Sequence, residues 1–281
     1  MDIARPGRRQ AKTRRRALWA VLAAVLFITV FLLLWRKESR LHHQHITLKH
    51  DGRSLQALVV SPKASGKVPV VILVHEIYGL SDWATQMADD LAEQGFIVIA
   101  PDLLSGHGSH GGGYDDFGNQ QERISAIISL DHSAVMADLD TAVDFASQMP
   151  ASNGKVAIVG FSWGGWKSFA FATHRKDLSA VFVFYGTGPL ETSAISAITA
   201  PVYGFYAGED TDVDITVPAT QDAMKAAGKF YEPVTYAGAE HGFMRLGEDL
   251  TNSLSANKTA HDQAFARLVK QLRAMSSPED P

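Results

Sequence analysis

Cysteine is absent from the 281 residues, and this removes disulfide frameworks, thiolate zinc sites, iron–sulfur clusters and a cysteine nucleophile together. Nucleophilic catalysis in this chain has to rest on Ser, Thr, Lys or a carboxylate. Repeats and low-complexity stretches are also missing. With 46% hydrophobic and 20% charged residues, the composition is that of one large globular domain. The body of the chain is short of positive charge: residues 1–40 carry a net +8 and residues 41–281 a net −12. An acidic body is unsuited to gripping a phosphate backbone, so no nucleic-acid partner is expected.

Long apolar runs are scarce, with one exception. Ala17 to Trp35 is nineteen residues without a charge and with only Thr29 polar. As a helix it spans roughly 28 Å, about the hydrocarbon thickness of a bilayer. Seven basic residues precede it and three follow, which by the positive-inside rule leaves residues 1–16 in the cytoplasm. The pattern predicts a transmembrane signal-anchor over 17–35 whose partner is the lipid bilayer, followed by a juxtamembrane linker over 36–44. The expected location is the cytoplasmic membrane, with the remainder of the chain on its periplasmic or extracellular side. A cleaved signal peptide competes with this reading, but Arg36-Lys37-Glu38-Ser39-Arg40 offers no small-x-small cleavage site. A buried core helix is the third alternative.

After the apolar run, short β-rich segments alternate with helical ones. Val68 to His75, Phe96 to Ala100, Lys155 to Val159, Ala180 to Phe184 and Pro201 to Tyr206 are near-continuous apolar runs, the pattern of strands buried on both faces. Asp82 to Gln94, Ala134 to Gln148, Trp163 to His174, Val217 to Ala227 and Asn257 to Met275 carry apolar residues at three-and-four spacing. This alternation predicts an α/β fold: a mostly parallel, doubly wound sheet with helices on both faces. His45 to Lys49 and Leu55 to Ser61 read as an antiparallel pair around an Asp51-Gly52 turn. One domain over 45–275 and a flexible tail over 276–281 complete the division.

The chemistry concentrates in Gly160-Phe161-Ser162-Trp163-Gly164. Gly-x-Ser-x-Gly is a weak signal alone, but here a strand precedes it and a helix follows, the setting of a nucleophile elbow in an α/β-hydrolase. A merely structural tight turn is the alternative. A serine hydroxyl needs a base to take its proton and an acid to orient that base, and this fold expects them in the order Ser, Asp or Glu, His. Of the histidines beyond Ser162, His174 closes a helix and His261 lies within one. His241 sits in a Gly-bounded loop and is the favoured base. For the acid, Gly208-Glu209-Asp210-Thr211-Asp212 ends a strand; Asp210 is preferred and Asp212 is the runner-up. The oxyanion hole is expected from two backbone amides, at Trp163 and at Ile77 in the loop after the third strand. The glycine-rich segment Ser105 to Asp116 reads as a lid candidate, and His107, His110 and Asp115 or Asp116 within it, like His42, His43 and His45, suggest metal binding only weakly. No metal or cofactor is expected.

His75-Glu76-Ile77-Tyr78-Gly79, Ala100-Pro101-Asp102-Leu103, the elbow with Gly165, Gly208-Glu209-Asp210 and His241-Gly242-Phe243 resemble, in order, the motifs of the dienelactone hydrolase family. The resemblance covers about residues 48–273 and implies Ser162, Asp210 and His241 as triad, with Ile77 and Trp163 as amide donors. The founding enzymes of that family use cysteine where this chain has Ser162, and there a glutamate at the Glu76 position takes part in controlling the thiol. They also hold a substrate carboxylate between two arginines. Arg245 matches one, and the other falls at Gly106. Glu76, Tyr78 and Arg245 are therefore substrate-pocket candidates, and dienelactone itself is not the expected substrate.

The sequence thus predicts a membrane-anchored serine hydrolase acting on a small-molecule carboxylic ester or lactone through an acyl-enzyme on Ser162. A thioesterase or peptidase with the same triad is one alternative; a non-catalytic tethered binding module is the other.

Overall fold

A computed structural model describes residues 19, 21–23, 25–26, 41–63, 66–189, 191–249 and 254–275. It divides into two compact units, residues 1–41 and 42–281. The expected cytoplasmic segment 1–16, most of the anchor 17–35, the linker up to residue 40 and the tail 276–281 lie outside the described residues. Among the described residues no helix is long and apolar enough to cross a membrane.

Eight strands form one sheet: β1 (Leu41–His50), β2 (Arg53–Pro62), β3 (Val68–Val74), β4 (Ile97–Pro101), β5 (Ser152–Phe161), β6 (Ala180–Phe184), β7 (Val202–Ala207) and β8 (Tyr231–Tyr236). Their order is β1-β2-β4-β3-β5-β6-β7-β8. From β4 to β8 every pairing is parallel, while β2 runs antiparallel to β4. β1 begins at Leu41, so the extended chain takes in the last four residues assigned from sequence to the linker. The turn between β1 and β2 has positive φ at Asp51 (45°) and Gly52 (80°), the type I′ signature that Asp-Gly supplies at low cost.

Nine helices are described: α1 (Asp82–Glu93), α2 (Gln120–Ser129), α3 (His132–Gln148), α4 (Trp163–His174), α5 (Thr192–Ser196), α6 (Thr211–Asp214), α7 (Val217–Ala226), α8 (Phe243–Leu246) and α9 (Ser255–Ala274). The chain steps from β3 outward to β4 and then back across β3 to β5. Right-handed crossovers in opposite directions must lie on opposite faces. Thus α3, α4 and α7 share one apolar core with β3, β5 and β6, containing Leu139, Val143, Phe169, Ile158, Val181 and Met224. On the other face α9 reaches α1, where Arg273 Nη2 donates to Gln94 Oε1 at 2.8 Å. The reversal puts a crevice at the carboxyl ends of β3 and β5, the place where open α/β sheets bind ligands.

Candidate active site

The end of β5 and the start of α4 meet at Ser162, whose φ of 54° and ψ of −116° fall outside the regions normal for a side-chain-bearing residue. Such a conformation costs on the order of 1–3 kcal/mol and persists only where its surroundings over-determine it. Here Ser162 N donates to Phe184 O at 2.9 Å, and Trp166 N donates to Ser162 O at 3.0 Å. The flanking glycines have a steric reason. A Cβ at Gly160 would stand 2.1 Å from Gly164 O, and one at Gly164 would stand 2.4 Å from both Val74 O and His75 O. The second approach also presses the end of β3 and His75 against the first turn of α4.

The carboxyl ends of three strands, β5, β7 and β8, meet here. Ser162 Oγ donates to His241 Nε2 at 2.8 Å, and His241 Nδ1 donates to Asp210 Oδ2 at 2.5 Å. Asp210 lies just beyond β7, where Glu209 N donates to Ala239 O at 2.9 Å and so ties the turn of Asp210 to the loop of His241. His241 lies just beyond β8 and is fixed by a neighbour the sequence did not point to: buried Asn257 of α9 accepts from Glu240 N at 2.8 Å and donates to Glu240 Oε2 at 2.9 Å. Asp212 falls on α6 and is exposed. His174 pairs with Asp140, and His261 pairs with Glu248 and Asp262, both away from this cluster.

Glu76 is buried under the site and accepts from Arg245 Nε at 3.1 Å and from the Tyr185 hydroxyl at 3.2 Å. Burial pushes its carboxyl above the usual carboxylate range; the Arg245 charge and hydrogen bond and the Tyr185 hydroxyl pull the other way. The Arg245 guanidinium also lies 4.9 Å from the centre of the Tyr78 ring. Tyr185 was not singled out from sequence. It follows β6 with a φ of 40°, and its ring centre is 5.1 Å from that of His241. It thereby connects the Glu76–Arg245 pair to the imidazole. A strand-end aromatic in Phe184-Tyr185-Gly186 was the available signal, but positive φ at a tyrosine has no sequence signature.

The glycine-rich loop after β4 is held by Asp102. Its carboxylate accepts from Leu104 N at 3.1 Å and from Tyr114 N at 2.6 Å. Burial raises this carboxyl too. Ser105 Oγ accepts from Gln56 N of β2 at 2.9 Å, and a Cβ at Gly106 would find Arg53 Nη1 as its nearest neighbour, at 3.8 Å. Residues 105 and 106 therefore pack toward β2, not across Ser162 as a lid would. Within the loop His110 pairs with Asp116 and His107 with Arg53. Tyr114 seats on Gly79, where a Cβ would meet its ring at 2.7 Å.

With this geometry established, comparison with known proteins is specific. Residues 55–276 match the model of the dienelactone hydrolase family. A protein of Salmonella typhi, provisionally named a carboxymethylenebutenolidase, is 32% identical over 209 residues, covering 70% of this chain and 76% of its own. A similarly named protein of Escherichia coli K12 is 31% identical with the same coverage. The crystal structure of a provisional dienelactone hydrolase from Klebsiella pneumoniae superposes with a TM-score of 0.71 at 24% identity, covering 83% of this chain and 98% of the other.

Proposed function

The chain belongs to the dienelactone hydrolase family, a hydrolase of ester or lactone bonds, and on that premise we propose that it works through an acyl-enzyme on Ser162. The observation that carries the reading is the unbroken hydrogen-bond chain from Ser162 Oγ through His241 to Asp210, set on a strained elbow. His241 Nε2 takes the hydroxyl proton as Oγ bonds to the substrate carbonyl carbon. Asp210 holds the imidazolium that results. The negative oxygen is met by the amides of Ile77 and Trp163, the latter one of the four amides a helix leaves unpaired at its start. Collapse breaks the ester C–O bond, and the departing oxygen takes the proton back from His241. Water, deprotonated by the same imidazole, then splits the acyl-serine and regenerates the hydroxyl. No cofactor enters this cycle.

The acyl group is one without a carboxylate. The Arg245 charge is already met by buried Glu76, and at the sequence position that corresponds to the founding enzymes' second arginine this chain has the uncharged Gly106. Neutral short-chain esters and unsubstituted lactones are the substrates this favours.

The test is a fluorophosphonate probe and a series of p-nitrophenyl esters, applied to the full chain beside Ser162→Ala. Labelling and turnover that vanish together in the variant support the acyl-enzyme, and a butyrate ester hydrolysed faster than a hemisuccinate ester supports the neutral acyl group. A folded wild-type protein that neither labels nor turns over rejects the reading.

Residues 17–35 are proposed as a signal-anchor that holds this hydrolase at the outer side of the cytoplasmic membrane, on the strength of the uncharged run and its basic flanks. The chain should stay with membranes through an alkaline carbonate wash. Recovery as a shortened soluble form would reject the anchor in favour of a cleaved signal.

A further inference from the structure

Lys167, in the second turn of α4, is 2% exposed. Buried lysines ordinarily pair with a carboxylate, but among the described residues none lies within salt-bridge distance of this ammonium. Its surroundings are aromatic. The Nζ sits 4.1 Å from the centre of the Trp166 ring and 5.2 Å from that of Trp163, and it donates to His132 Nδ1 at 3.3 Å. His132 is the first residue of α3, and its ring lies 6.1 Å from that of Trp166. The Trp163 indole also stacks on the buried imidazole of His75, with ring centres 5.9 Å apart and planes 8° apart.

A cation–π contact strengthens when the cation is desolvated, reaching about 2 kcal/mol. The side chain fixed by these contacts belongs to the residue whose amide faces the oxyanion in the reading above. We propose that Lys167 is a positioning residue of this hydrolase: its ammonium, hydrogen-bonded to His132, locks the Trp163 indole against His75 and so holds the Trp163 amide where the oxyanion forms. The proposal rests on the serine hydrolase reading.

The lock requires a neutral His132, because only an unprotonated Nδ1 can accept from an ammonium. The charged groups acting on it are Lys167 from α4 and Asp131, which caps α3 and spends its carboxylate on Ala134 N and the Ser133 hydroxyl. Burial and the Lys167 charge hold His132 below the usual histidine range, so the lock is intact at neutral pH.

Steady-state hydrolysis of p-nitrophenyl butyrate by the full chain decides the matter, with near-ultraviolet circular dichroism reporting the tryptophans. Lys167→Met should lower kcat about 10- to 100-fold, less than the roughly 10²–10³-fold of an oxyanion donor removed outright, leave KM within about twofold and weaken the tryptophan signal. Lys167→Arg keeps the cation over both indoles and should recover most of kcat. Should Lys167→Met fail to fold, His132→Phe and His132→Asn decide instead: the first loses the acceptor and should lose kcat, the second keeps one and should not. Full kcat in Lys167→Met, a loss shared equally by kcat and KM, or a loss that Arg does not restore would each overturn the proposal. If Ser162→Ala still labels and turns over, the reading beneath it fails instead.

Discussion

At the scale of single residues, the two candidate acids differ in one hydrogen bond. Asp210 Oδ2 accepts from His241 Nδ1, whereas Asp212 lies on α6. Asp210→Asn should therefore lower kcat about 10⁴-fold, because an amide there favours the wrong imidazole tautomer, while Asp212→Asn should keep wild-type turnover. The reverse pattern in steady-state kinetics would exchange the assignments. Ser162, His241 and the Gly-x-Ser-x-Gly glycines were legible in sequence, since an elbow requires specific residue types at fixed spacing. Tyr185, Lys167 and Asn257 were not legible, because each acts through a contact between elements distant in the chain. The Glu76–Arg245 pair yields a pH-dependent prediction. Burial lifts Glu76 above its ordinary 4.5, so ionised Glu76 costs the fold most above its folded pKa and nothing below about 4.5. Arg245→Met removes the opposing charge and raises the carboxyl further. Its destabilisation should be about 2 kcal/mol at pH 8, below the full value for a buried pair because Arg245 is 35% exposed, and should shrink toward pH 5. Urea unfolding at both values checks this, and equal losses would show that Glu76 does not change its protonation state between them.

At the scale of elements, backbone approach separates two kinds of glycine. Gly160 has ordinary φ but no room: its Cβ would meet the backbone carbonyl of Gly164 at 2.1 Å, and backbone cannot yield as a side chain can. Gly52 has φ of 80° and open space. Gly52→Ala should cost about 1–2 kcal/mol, the left-handed penalty alone, whereas Gly160→Ala should cost well over about 3 kcal/mol or prevent folding. Denaturant midpoints of the two variants make the comparison, and similar losses would contradict it. The central strands and five of the six helices of ten residues or more could be read from periodicity because they are buried on both faces or along one stripe. Helix α2 escaped notice because it buries only Ile127, leaving its polar residues to read as loop. Its start is nonetheless well made: Asn119 Oδ1 accepts from Glu122 N at 3.0 Å, while Glu122 Oε2 accepts from Gly118 N at 2.9 Å. The glycine-rich loop suggested a lid for a related reason. Its composition signals freedom, while that freedom is removed by carboxylates at its two ends: Asp102, just after β4, and Asp116, which accepts from His110 N and Gly112 N.

At the scale of the whole molecule, the division of charge and the division into units agree. The basic stretch ends at Arg40, and β1 begins at Leu41. The unit over residues 42–281 is compact in its own right, and the apolar core and the Ser162–His241–Asp210 chain lie within it. An anchor that only tethers contributes nothing to that core. A specific protease site inserted between Arg40 and Leu41 should therefore release a domain whose Tm lies within about 2 °C of the uncut chain, a difference below about 1 kcal/mol for a protein of this size. Its kcat/KM on a soluble ester should be unchanged, and only retention through the carbonate wash should be lost. A Tm lowered by more than about 5 °C would mean that residues before Leu41 contribute to the core, as a buried helix would, and the anchor assignment would fall with it. Unchanged stability with continued retention after cutting would instead place the membrane contact on the hydrolase domain itself.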